Sequence, residues 1–311
     1  MIAAFESLLP VFMLIGLGFG LRWRQIVPEE MWRGVEVVSY WVFFPALLAD
    51  TLIRAELRSL PLTGVTLTMV ASFLTLALAL VAARAPLMRV LGIDGPAYSS
   101  LFQSSIRWNG FIALPILAKL QGDTGVALVA LVMGALVPLA NFAAVIVVAR
   151  NASARPLSLR QTLYVVFRNP FIWATAIGLA INFAGIPIYE PVMTAMHTLG
   201  AAAIGSGLLM VGSGLRAAEA AKPSPAVWLG TALKLIGTPV LVIGWSFIFG
   251  LSGPAFLACI TCAAVPTAMS AYVLARQMGG DASLVAATVT VQTLVSFISI
   301  PVFVWLAGII R

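Results

Sequence analysis

The chain is an almost continuous succession of apolar runs, each about twenty residues long and separated from the next by a short polar break, and this leaves little choice of fold. An α-helix needs roughly 20 residues to cross about 30 Å of hydrocarbon. In that medium every backbone N–H and C=O must be satisfied within the spanning structure, which a helix does and an open sheet does not. Ten such runs fall near 3–21, 35–53, 62–83, 96–119, 126–149, 165–185, 192–214, 226–250, 254–276 and 284–309. Composition agrees, since 61% of residues are hydrophobic and only 9% charged, which leaves no room for a soluble domain between the runs. The expectation is an all-α integral membrane protein with ten transmembrane helices. The first run is expected to stay as an anchor, because its N-terminal flank carries Glu6 and no Lys or Arg before Arg22, whereas a signal peptide opens on a basic flank, and no small-residue cleavage pattern follows.

Lys and Arg collect in cytoplasmic loops, and here they alternate between the two sets of loops in a lopsided way. One set holds Arg22, Arg24, Arg33, Arg84, Arg89, Arg150, Arg155, Arg160, Arg168, Arg216, Lys222 and Arg276; the other holds Arg54, Arg58, Lys119 and Arg311. Twelve against four puts both termini outside and the loop 150–168 in the cytoplasm, for a multi-pass protein of the inner (plasma) membrane. This bias also accounts for the net charge of +7 as an attraction to anionic headgroups of the lipid bilayer. No nucleic acid partner is expected, because the basic residues are dispersed over loops instead of forming a stripe. Cys259 and Cys262 are the only cysteines and lack companions for a metal site, so they read as small packing residues and no cofactor is expected.

The sequence nearly repeats itself. Leu117-Ala118-Lys119 leads through Gly122-Asp123 into Val126-Ala127-Leu128-Val129, and Leu274-Ala275-Arg276 leads through Gly280-Asp281 into Leu284-Val285-Ala286-Ala287, roughly 157 residues later. Helices 4 and 5 are therefore echoed by 9 and 10. The organisation expected is a first five-helix repeat over 1–150, a cytoplasmic linker over 151–168 and a second repeat over 169–311. An odd number of helices per repeat makes the two copies enter the membrane from opposite sides, as in many secondary transporters.

Polar and helix-breaking residues mark the middle of both echoed segments. Ile106-Arg107-Trp108-Asn109-Gly110 is followed by Pro115, and Val265-Pro266-Thr267 by Ser270 and Tyr272. An arginine at the bilayer centre costs about 2.5–3.5 kcal/mol on insertion scales, so it faces a protein interior, a watery cavity or a partner. Proline has no N–H and clashes with the preceding turn, so Pro115 and Pro266 are the expected helix breaks. Helices 4 and 9 are thus expected to be broken and to cross near the bilayer midplane, with half-helix ends aimed at a substrate. Arg107 favours an anion, since a planar guanidinium donates two parallel bonds to a carboxylate. Asn109, Ser104, Ser105, Thr267 and Ser270 are the other candidate substrate ligands, each with the competing role of satisfying nearby backbone.

Three polar residues and a run of small ones stand apart from this pair. Asp50, near the end of the second run, is the candidate proton site, although reaching the interface is its commoner role. Lys234 is expected to snorkel to the cytoplasmic surface. His197 is expected at an interface of helix 7. The glycines at 200, 205, 207, 212 and 214 suit close helix packing.

The motif Trp108-Asn109-Gly110-Phe111 to Leu114-Pro115 with Gly122-Asp123, and its counterpart Val265-Pro266-Thr267-Ala268 to Leu274-Ala275-Arg276 with Gly280-Asp281, resembles the fourth- and ninth-helix motifs of the auxin efflux carrier family. Arg168-Asn169-Pro170 with Gly178 is similar to that family's opening of the second half. The resemblance implies a ten-helix carrier of two inverted repeats, similar in fold to bile-acid sodium symporters, carrying organic acids such as malonate, malate or auxin. It is compatible with a homodimer. Trp108 stands where many members have a small or polar residue, and Ala271 where plant members have a second proline.

The function expected is secondary transport of small organic anions by alternating access, with a sodium-coupled symporter of bile-acid type as the rival within transport. An enzyme is not expected, because the sequence has no paired carboxylates, HExxH or serine–lysine pair at a convincing depth. An ATPase is not expected either, since no Walker sequence is present.

Overall fold

The computed structural model describes residues 2–55, 61–152 and 170–310, with side chains from Leu8 onward. Most of the basic linker, including Arg155, Arg160 and Arg168, lies outside the described residues, as does Arg58. The described chain is all helical and contains no strand. Its helices are α1 (Ile2–Trp23), α2 (Glu29–Arg54), α3 (Leu62–Ala82), the short α4 (Arg84–Leu91) and α5 (Gly95–Ile106). The run Gly110–Asn151 follows and turns at Gly122, which divides it into α6 (110–121) and α7 (123–151). Then come α8 (Pro170–Ala184), α9 (Glu190–Gly214), α10 (Pro225–Ile248), α11 (Gly253–Ala264), α12 (Ser270–Met278) and α13 (Ala282–Ile310). Among the described residues six helical stretches are long and apolar enough to cross a membrane, and α8, α11 and the part of α1 over Leu8–Trp23 are shorter apolar helices.

Local chemistry sets where these helices start and turn. α2 begins at Glu29, earlier than its apolar run, because Glu29 and Glu30 place negative charge in the first turn, where the helix dipole is positive. Asp94 caps α5 by accepting from the Ala97 N–H at 2.9 Å, and Ser224 caps α10 at the Val227 N–H. Gly122 has φ +59 between α6 and α7, and Gly279 has φ +80 between α12 and α13, a region that a β-carbon disfavours. The sequence match pairs Gly122 with Gly280, so the left-handed residue sits one position earlier in the second copy.

The surface and interior are arranged as a membrane would require. Leu78, Leu294 and Ile298 are each more than 60% exposed, whereas Thr68, Ser72, Ser100, Gln103, Thr288 and Gln292 are buried. Apolar faces of that extent are a liability in water and are what hydrocarbon accepts.

Most helix contacts fall into two groups, and the run Gly110–Asn151 touches both. α1 packs along α9, and α2 packs on both α8 and α9. In the other group α3, α5, the run Gly110–Asn151, α10, α11, α12 and α13 pack on one another. The α1–α9 contact depends on small residues, since a β-carbon on Gly18 would strike the Leu209 carbonyl and one on Gly212 the Ile15 carbonyl. A β-carbon on Gly200 would meet the Leu47 backbone and one on Gly207 the Phe44 ring, while Gly205 faces open space.

Candidate functional site

Both broken helices belong to the second group, and their breaks meet. The first lies between α5 and α6, at Arg107, Trp108 and Asn109, whose backbone is extended (ψ 156 at Arg107, φ −106 and ψ 96 at Asn109). Asn109 starts the new helix, its Oδ1 accepting from the Phe111 N–H at 3.0 Å. Pro115 is therefore not the break: it lies inside α6, buried, about one and a half turns after the new helix begins at Gly110. There it withholds a donor only from the carbonyl four residues back, at Phe111, and the helix continues through it.

The second break lies between α11 and α12, where Val265 is extended (ψ 150) and Pro266 follows. Pro266 has no N–H to offer the Cys262 carbonyl. Thr267 N–H would serve Ala263 in a continuing helix but donates instead to Gln292 Oε1 at 2.8 Å.

Hydrogen bonds stitch the two breaks together. Thr267 Oγ1 donates to the Ser104 carbonyl at 2.6 Å and lies 3.3 Å from the Arg107 carbonyl. Gln292 Nε2 donates to the same Ser104 carbonyl at 3.0 Å and to the Gly230 carbonyl at 3.1 Å. Carbonyls left bare by the first break thus find donors on the second break and on α13. Both donors are fully buried, where an unmade bond would cost the most.

Arg107 reaches across the junction. Its Nη2 donates to Asn141 Oδ1 on α7 at 2.7 Å and to Ser270 Oγ on α12 at 3.1 Å. Its Nη1 is buried and has no hydrogen-bond partner in the structure, and no Asp or Glu pairs with this guanidinium among the described residues. Ser104 Oγ and both side-chain polar atoms of Gln103 are likewise buried without partners. Ser105 differs, because its hydroxyl donates to the Leu101 carbonyl one turn back at 2.8 Å.

Lys234 corrects an expectation. It does not snorkel to a surface: it is 1% exposed, and its Nζ donates to the Ala263 carbonyl at 3.0 Å. The break in α11 explains this, because it leaves an acceptor inside the protein for an ammonium to reach. Lys234 lines a narrow cavity of about 20 Å³ together with Ser72, Ile106, Trp108, Thr238 and Cys262, which is room for about one water. Cys259 and Cys262 are both buried and unpaired.

Asp50 is not at this junction. It is buried on α2, with Oδ1 2.9 Å from Arg54 Nε and Oδ2 3.0 Å from His197 Nδ1 on α9. His197 itself is largely exposed at its side chain, so it meets α2 at the edge of the helix contact.

Gln292, Asn141 and Lys234 are the residues of this site that sequence reasoning missed as ligands or linkers. Gln292 and Asn141 are each the lone amide in an otherwise apolar run, the same signal that singled out Arg107.

A bundle with apolar outward faces, a mostly apolar core that also buries polar side chains, and two interrupted helices meeting beside a half-buried arginine defines a multi-pass helical membrane protein. Residues 3–304 match the family described as membrane transport protein, and the chain belongs to that family, that of the auxin efflux carriers. It is 25% identical over 312 residues to an uncharacterized transporter of Methanothermobacter thermautotrophicus, an alignment that covers 96% of each chain.

Proposed function

We propose that the protein is a secondary transporter of small organic anions, carboxylates of the malonate, malate or auxin-like kind. The observation that carries this reading is the buried Nη1 of Arg107, a guanidinium donor without a partner at the meeting point of two helix breaks. Its neighbours Asn141 and Ser270 are neutral, so the positive charge is left for a ligand to answer. Asn109 holds the backbone of the break in place, Thr267 ties it to the second break, and Ser104 offers a free hydroxyl.

In this reading the chain forms ten transmembrane helices as two inverted five-helix repeats, 1–150 and 169–311, joined by a cytoplasmic linker. α5–α6 and α11–α12 are the broken fourth and ninth helices and cross near the midplane. Both termini face outward from the inner membrane. The group of α1, α2, α8 and α9 rocks against the other group, opening the junction to one side and then the other.

The test is uptake of radiolabelled malonate, malate and indole-3-acetate by proteoliposomes, with Arg107→Gln beside the native protein. At least one carboxylate is expected to accumulate, and Arg107→Gln to lower its uptake tenfold or more. Equal uptake by both proteins removes Arg107 as the counter-ion. Selective uptake of cations or neutral solutes defeats the anion reading altogether.

A further inference from the structure

Lys234 has no part in the reading above, yet its surroundings are specific. It lies within a helix that crosses the bundle, on a π turn at Leu233–Gly237, where the Thr238 N–H reaches back five residues to the Leu233 carbonyl. Such turns interrupt regular hydrogen bonding and are frequent at functional sites. The task of Lys234 is at the end of α11. Two consecutive carbonyls there lose the donors a continuing helix would bring, Cys262 because residue 266 is proline and Ala263 because the Thr267 N–H is held by Gln292. The Ala263 carbonyl accepts from Lys234 Nζ instead.

The last carbonyls of a helix carry roughly half an elementary negative charge, which favours a cation. Broken helix ends of this kind are where ion-coupled transporters hold sodium. The cavity at this end is lined mostly by apolar side chains and adds two hydroxyl oxygens, Ser72 and Thr238, each donating to a carbonyl of its own helix and keeping lone pairs for a cation. No Asp or Glu pairs with Lys234 among the described residues, so its charge is set against the helix end and not against a carboxylate.

We propose that Lys234 is a tethered cation occupying the metal-cation position at the broken end of α11, so that this carrier works without sodium. The inference rests on the transporter reading above and specifies its energetics. No sodium crosses with the substrate, so no sodium gradient drives it. Removing the lysine side chain would turn the same carbonyls and hydroxyls into an open sodium site.

The experiment is thermal unfolding of the purified full-length protein in detergent, in sodium chloride and in choline chloride at equal concentration. The native protein should melt at the same temperature in both. Lys234→Ala should melt lower in choline and recover part of the loss in sodium. Lys234→Met, whose side chain keeps the space filled without a charge, should be destabilised with no recovery. Sodium stabilisation of the native protein, no sodium response of Lys234→Ala, or an equal response of Lys234→Met would each overturn the proposal. Should Lys234→Ala fail to fold, Lys234→Ser carries the same comparison. Since no transported solute enters this assay, its failure leaves the carboxylate reading standing, and failure of carboxylate uptake leaves this result standing.

Discussion

The two helix breaks share one junction and satisfy their bare backbone by opposite means. At Arg107–Asn109 the loose carbonyls are taken by neutral donors, the Thr267 hydroxyl and the Gln292 amide, and the charged side chain of the break is left with an unpaired N–H. At Val265–Met269 the loose Ala263 carbonyl is taken by a charged donor, Lys234, and nothing cationic is left over. One break therefore presents a charge and the other absorbs one. The difference teaches that an interrupted helix must be completed locally, because each stranded backbone group in a dry interior costs several kcal/mol. Which residue completes it decides whether the break can also face a ligand.

The largest effect expected from disturbing this division comes from Gln292, which serves both breaks. Gln292→Leu strands the Thr267 N–H and removes a donor from the Ser104 and Gly230 carbonyls. Stranded buried groups cost about 1–3 kcal/mol each, so a loss of roughly 2–5 kcal/mol is expected, read as a lowered unfolding midpoint in detergent. Gln292→Glu, which keeps the acceptor for Thr267, should lie between it and the native protein. A native-like midpoint for Gln292→Leu would mean that packing, not hydrogen bonding, joins the breaks. Thr267→Val comes next, at about 1–3 kcal/mol, because it removes the hydroxyl from the Ser104 carbonyl while Gln292 continues to serve that group.

What the sequence made legible follows the range of the forces involved. The helical membrane class came from hydropathy, which each run carries by itself. The second break was legible because Pro266 removes a donor from its own turn, a local effect. Pro115 misled for the complementary reason. Proline in a sequence looks the same whether the chain leaves the helix there or eight residues earlier, at Arg107, and the choice was made by the Asn109 cap with donors 160 to 188 residues away. Lys234 was misplaced on the same account. Its burial depends on a carbonyl freed in a different helix, 29 residues on, and nothing in its own run announces that acceptor.

Asn109 tests the first break at its own cap. Asn109→Ala removes the acceptor of the Phe111 N–H, and the expected loss is about 1 kcal/mol. A loss as large as that of Gln292→Leu would place the main support of the break in its cap and not in the stitching from the second break.

The smallest effects separate the adjacent serines of α5, and they bear most directly on what the first break presents. Ser105 bonds back to Leu101, whose carbonyl lies in regular helix, so Ser105→Ala should stay within about 0.5 kcal/mol. Ser104 Oγ is buried without a partner, which is a standing cost in the empty protein. Ser104→Ala should therefore be neutral or mildly stabilising without ligand, by up to about 1 kcal/mol. With malonate present the order should change. The carboxylate should raise the unfolding midpoint of Ser105→Ala as much as that of the native protein, and raise that of Ser104→Ala less, because only Ser104 keeps a hydroxyl free for it. If malonate stabilises both variants equally, the unpaired hydroxyl serves no carboxylate, and the charge of Arg107 must be answered by a ligand that approaches from another side.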